Sequence, residues 1–239
     1  PDDAYIGDYQ NYMDATLNYG MYFTIKEVFG NNVSMKAISS RWTSIKQHFR
    51  DPDALGLFVD NHDNPRFLFT QNDTRLFKSA IAFSLTARGI PMMYYGSEQG
   101  YNGGVDPLNR EPLWENMDPS HEIYQMVKMI NRARRIQRTA WGTFTERSSS
   151  DDLYTYSRGA MFVALTNQLD KTIQSTVFRP GFDAGTSVCN IFRPADCLTV
   201  GEEGIKITLM GGEVKIYINR DSKYFTSSTD DPLDMASVE

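Results

Sequence analysis

The chain has 239 residues, of which 41% are hydrophobic, 23% charged and 13% aromatic, and its formal net charge is −6. That length allows one large domain or two ordinary ones, and the acidic balance argues against a general affinity for nucleic acid, whose binders usually carry a basic face. No apolar run approaches the length of a membrane span, and the opening Pro1, Asp2, Asp3 lacks a basic-then-apolar leader, which reads as a mature, processed or truncated start.

Residues 1–25 hold Tyr5, Tyr9, Tyr12, Tyr19 and Tyr22 and pass from an acidic, turn-rich stretch into a more apolar one, which predicts a long loop, then a strand and a helix start. Met35, Ile38, Trp42, Ile45 and Phe49 recur at three- and four-residue spacing, so 34–50 reads as an amphipathic helix with Ser34 as its cap. Leu55–Val59 is an unbroken apolar run that meets Asp60, Asn61, His62, Asp63 and Asn64 before Pro65 and Arg66. A run apolar on both faces suits a buried parallel strand. Leu76, Ala80, Phe83 and Ala87 mark a second helix over 72–88, with an Asn or Asp cap and Gly89 at its end.

Ile90–Tyr95 predicts a second short buried strand, and a long polar loop follows over 96–114 with Glu98, Tyr101, Asp106, Arg110, Glu111 and Trp114. Loops of that length in compact domains are often functional, and these glycines fit neither GxGxxG nor the P-loop. A helix over 122–137 closes the series with Ile123, Met126, Val127 and Ile130 inward. Helix, strand, helix is the alternation of a parallel α/β fold. Beyond residue 140, short alternating runs separated by Gly, Pro, Asn and Asp turns signal an antiparallel β domain over 141–220, and the acidic, serine-rich 221–239 reads as a flexible tail.

In barrels of parallel strands the chemistry sits at the carboxyl ends of the strands. Two carboxylates and an imidazole delivered there suit acid/base or electrostatic catalysis. Taken alone, a polar turn whose Asp and Asn satisfy backbone groups accounts for the stretch about as well. Cys189 and Cys197 lie close enough for a small disulfide loop, while free thiols stay open and metal binding is disfavoured by the spacing. The sequons at Asn32 and Asn72 suit a secreted protein.

FVDNHDNPRF (58–67) followed by GIPMMYYGSEQGYNGGVDPLNREPLW (89–114) resembles the secreted α-amylases, and DAYIGDYQNYMDATLNYGMYF (3–23) is similar to their segment entering the sixth barrel strand. The resemblance implies a (β/α)8 barrel followed by an antiparallel β-sandwich, with residues 1–140 supplying barrel strands six to eight. It implies endo-hydrolysis of α-1,4-glucosidic bonds in starch or glycogen with retention of configuration. Asp63 then corresponds to the carboxylate that stabilises the transition state, His62 to an imidazole on the same sugar, and Asp106 and Arg110 to a pair gripping the next one. Tyr101 and Trp114 can stack on sugars, but each is read first as packing, as Asp60 and Arg66 are read as bracing.

Retaining hydrolysis needs a nucleophile and an acid/base carboxylate about 5–5.5 Å apart. The resemblance places both, with the Ca2+ ligands, upstream of Pro1, so the chain alone is expected to be inactive and poorly soluble, and the whole protein to be an extracellular or vesicular monomer acting on α-glucan. Three rivals remain: a two-metal phosphoesterase, with only His48 and His121 as further imidazoles and both in predicted helices; a glucan-binding protein without catalysis; and a transglycosylase of the same family.

Overall fold

The computed structural model describes residues 2–227. Its first half runs α1 (Asp3–Gly7), β1 (Thr16–Leu17), α2 (Tyr19–Ile25), α3 (Lys36–His48), β2 (Leu55–Leu57), α4 (Phe67–Thr70), α5 (Thr74–Thr86), β3 (Ile90–Pro91) and α6 (Glu122–Ile136). The three strands form one parallel sheet with β2 in the middle. Parallel neighbours require crossover connections, and α2–α3 and α4–α5 supply them.

The opening is helical where a loop was expected. The Asp2 carboxylate caps α1 by accepting from the backbone of Ala4 and Tyr5, and buried Asp3 is held by Arg41 at 2.8 Å. Helix α3 starts two residues after Ser34, whose hydroxyl accepts from the Lys36 backbone at 3.3 Å and donates to Asp151. Asp73 caps α5 by accepting from the Arg75 backbone. Gly89 follows with φ +116°, where a side chain would press on the Leu55 carbonyl.

Two strand expectations need correction. The β2 ladder ends at Leu57, and Phe58 and Val59 are buried beyond it. β3 is a two-residue edge strand, not a buried run to Tyr95, and Ile90 is 47% exposed. Among the described residues β1 and β3 each pair on one side only, which leaves Leu17, Ile90 and Met92 exposed. Unpaired strand edges with apolar side chains invite association.

The second half is antiparallel. β4 (Phe144–Ser149), β5 (Tyr154–Arg158), β6 (Met161–Leu165), β7 (Thr172–Val177), β8 (Ser187–Asn190), β9 (Arg193–Thr199), β10 (Ile205–Met210) and β11 (Val214–Asn219) build a six-stranded sheet, β4-β5-β6-β11-β8-β9, and a ribbon, β7-β10. β4 was not among the alternating runs because it is an edge strand with mostly polar side chains, and β9, the short strand that a Cys189–Cys197 loop allows for, is likewise a polar edge and contains Pro194. One face of the large sheet, with Tyr154, Tyr156, Val163, Leu165 and Ile216, joins the core formed by α3, α5 and α6. Its other face, with Phe162, Ala164, Val188 and Tyr217, packs on Val177, Ile205, Ile207 and Leu209 of the ribbon. The two halves are also tied by polar bonds, including Thr86 to the Tyr156 hydroxyl at 2.6 Å and Asn167 Nδ2 to the carbonyls of Val28 and Val33.

Cys189 and Cys197 sit opposite one another on β8 and β9 and form a disulfide. Chain-entropy arguments assign so short a loop about 2–3 kcal/mol. Cys189→Ser with Cys197→Ser is therefore expected to lower the unfolding free energy by that amount, read as a lower denaturant midpoint at unchanged slope; an unchanged midpoint would show that the ladder alone holds the edge. Within the expected tail, 221–227 is held in place: α7 (Lys223–Thr226) buries Tyr224, and Arg132 donates to the carbonyls of Tyr224 and Ser227. Residues 228–239 lie outside the described region.

Candidate functional site

The site is built on the turn that follows β2. Asn61 Oδ1 accepts from the backbone of Asp63 and Asn64, each at 3.0 Å, a local side-chain turn of the kind Asn favours. It projects His62 and Asp63 outward, with side chains 61% and 55% exposed and His62 Nε2 3.2 Å from Asp63 Oδ1. Tyr19, at the start of α2, donates to Asp63 Oδ2 at 3.3 Å. Burial, and then the Asp63 charge, push the Tyr19 phenol above its usual range, so it stays a donor.

Asp106 and Arg110 come to the same place. Arg110 Nε lies 3.2 Å from Asp106 Oδ1, and Arg110 Nη2 donates to the His62 carbonyl at 3.4 Å. Asn109 locks the two loops together, donating through Nδ2 to the carbonyls of His62 and Asn64, both at 2.9 Å. Thus the four residues singled out in sequence share one face. Tyr19 and Asn109 were missed: neither carries a charge, and only the turn geometry reveals them.

Behind this face lies a buried brace. Asp60 accepts from Ser97 Oγ and from the Phe67 backbone, both at 2.7 Å. Its burial drives the carboxyl above the usual range, opposed by those donors and by Arg66 and Lys26. Arg66, fully buried, donates to Glu111 at 2.7 Å and to the Tyr95 carbonyl at 3.0 Å, and its guanidinium lies 4.6 Å from the Tyr94 ring. Glu111 in turn accepts from the Gly103 backbone, so the 103–111 turn hangs on Arg66.

Of the two loop aromatics, Tyr101 packs near Arg66 and donates to the Pro112 carbonyl. Trp114 is 78% exposed, so its packing reading is set aside. His121 caps α6 and is not inside it, accepting from the Ile123 backbone. His48 ends α3 with Nδ1 on the Ser44 carbonyl. Among the described residues no three His, Cys, Asp or Glu side chains converge to hold a metal ion. No described helix is long and apolar enough to cross a membrane.

Residues 2–158 match the family model described as alpha amylase, catalytic domain. The chain is similar to the beta/alpha-amylase of Paenibacillus polymyxa, 34% identical over 232 residues that cover 90% of this chain and 19% of that protein. It is similar to alpha-amylase 2 of Schwanniomyces occidentalis, at 32% identity over 90% of this chain and 45% of that protein. The solved alpha-amylase from Malbranchea cinnamomea superimposes with a TM-score of 0.87 at 28% identity, covering 92% of this chain and 49% of that one. The chain thus spans half or less of the length of these relatives.

Proposed function

Because the chain belongs to the α-amylase catalytic-domain family, we propose that the face holding His62, Asp63, Asp106 and Arg110 binds an α-glucan. A longer protein containing it would hydrolyse internal α-1,4-glucosidic bonds with retention. The observation that carries this reading is the junction of two loops: the His62–Asp63 pair sits where Arg110 and Asn109 reach the His62 carbonyl. There the exposed Asp63 carboxylate accepts hydroxyl hydrogens from the sugar at the reacting bond and offsets the positive charge that develops on its ring. His62 donates to the same sugar, and the Asp106–Arg110 pair orients the next.

Retention also needs a nucleophile and an acid/base carboxylate about 5–5.5 Å apart. We assign these, and any Ca2+ ligands, to other parts of the longer protein. On this reading residues 1–140 belong to a (β/α)8 barrel and 141–220 to a β-sandwich after it, and the whole works outside the cell as a monomer.

Trp114 extends the reading. Its exposed indole, on the loop that carries Asp106 and Arg110, offers a flat apolar surface to a sugar ring. Trp114→Ala is expected to weaken maltooligosaccharide binding by about 1 kcal/mol, roughly fivefold in Kd, and to shift stability by less than about 0.5 kcal/mol. Calorimetric titration reads the first and thermal unfolding the second. Unchanged affinity would remove Trp114 from the glucan surface.

A further inference from the structure

At the end of the parallel strands away from Asp63, where Asp53 precedes β2 and Arg88 precedes β3, lies a cavity of about 690 Å3 lined by parts of α5, α6 and β5. Its charged lining is Arg88, Arg134, Arg158 and Asp53, three cations facing one carboxylate. Asp53 is already engaged by Arg88, through Nε at 3.0 Å and Nη2 at 2.8 Å, and that pairing holds the carboxyl below its usual range.

Arg158 is only 7% exposed. It donates through Nε to the Thr139 carbonyl and through Nη2 to that of Ala140. Its Nη1 lies 3.5 Å from Asp53 Oδ1 and is buried with no hydrogen-bond partner. Half-buried Arg134 donates through Nη1 to Asn131 and has no carboxylate partner among the described residues. Burial and the charge of Arg158 push Arg134 below the usual guanidinium range. Arg158 Nη1 thus keeps an ionic contact with Asp53 but no hydrogen bond, which is costly for a buried guanidinium, and it shares the cavity lining with Arg134; guanidinium groups are the side chains best suited to take up carboxylate or phosphate.

We propose that this cavity is an oxyanion site, in which Arg134 and Arg158 clamp a phosphate or carboxylate group while Arg88 is held aside by Asp53. Two sources share that chemistry: a small free anion, or a carboxylate side chain contributed by the rest of a longer protein. The site is independent of the glucan face, since it lies at the other end of the strands.

The test is thermal unfolding in a millimolar series of inorganic phosphate at constant ionic strength, on this chain and on a longer protein containing it. A ligand that binds the folded state alone raises Tm with its concentration. A saturable rise in both proteins, weakened at least about tenfold by Arg134→Gln and kept by Arg134→Lys, assigns the site to a free anion. In the other supporting outcome the longer protein does not respond, and Arg134→Gln lowers its Tm while Arg134→Lys does not; a carboxylate of that protein then fills the site. Phosphate responses equal in wild type, Arg134→Gln and Arg158→Gln overturn the proposal. So does the absence of a response in the longer protein together with an Arg134→Gln Tm at or above that of wild type.

Discussion

In a longer protein carrying this chain, Asp63→Asn is expected to lower kcat on starch by at least about 10²–10³-fold. Asn keeps the shape of the side chain but removes the charge that faces the developing oxocarbenium and turns one acceptor into a donor. The loss should fall on kcat more than on KM, because an interaction that strengthens in the transition state is the one removed. Stability should move by less than about 0.5 kcal/mol, since the Asp63 side chain is half exposed and its carboxylate meets, among the described residues, the polar groups of His62 and Tyr19 at 3.2 and 3.3 Å. Initial rates with thermal unfolding on the same sample make the check. A kcat within a few-fold of wild type would remove Asp63 from the chemistry.

Arg66→Met carries the largest expected effect on stability. Removing one partner of a buried ion pair costs about 3–5 kcal/mol, and the lower end applies because the Glu111 side chain is 25% exposed and can regain water. Lost with it are the bond to the Tyr95 carbonyl and the stacking on Tyr94. Arg66→Lys should not restore stability, because an ammonium cannot fork to Glu111 and a carbonyl while lying flat on a ring. Denaturant unfolding reads the loss as a lower midpoint at unchanged slope. Because Glu111 also holds the Gly103 backbone, glucan affinity should fall too, through loosening of the turn that carries Asp106 and Arg110. A loss of unfolding free energy below about 0.5 kcal/mol, the size of an ordinary surface change, would show that the turn stands without Arg66.

The stretch from Leu55 to Arg66 was legible because each signal in it is local. Apolar residues on both faces bury Leu55–Val59, although the strand ladder stops at Leu57, and the polar run that follows forms a turn held by Asn61. The bracing by Asp60 and Arg66 was legible for a similar reason: a charge beside a buried strand needs a partner. The helices over 36–48, 74–86 and 122–136 follow their apolar periodicity to within two residues at each end.

What stayed hidden depends on contacts between distant residues. Tyr19 and Asn109 act through a hydroxyl and an amide that meet the turn after β2 from 44 and 47 residues away. β9 stands apart from the alternating runs because its side chains are mostly polar and it contains Pro194, yet its cross-link at Cys197 and pairing with β8 hold it as a strand. Ile90–Tyr95 failed in the opposite sense. Its apolar composition suggests burial on both sides, whereas among the described residues β3 meets a neighbour on one side.

The most direct measurement is the release of reducing sugar from soluble starch, with the anomer of the first product followed by NMR, for this chain and for a longer protein that contains it. The longer protein is expected to release sugars first as the α-anomer, and this chain alone to release none. Hydrolysis by this chain alone, or a longer protein that binds maltooligosaccharides at the Asp63 face and leaves starch uncut, would contradict it.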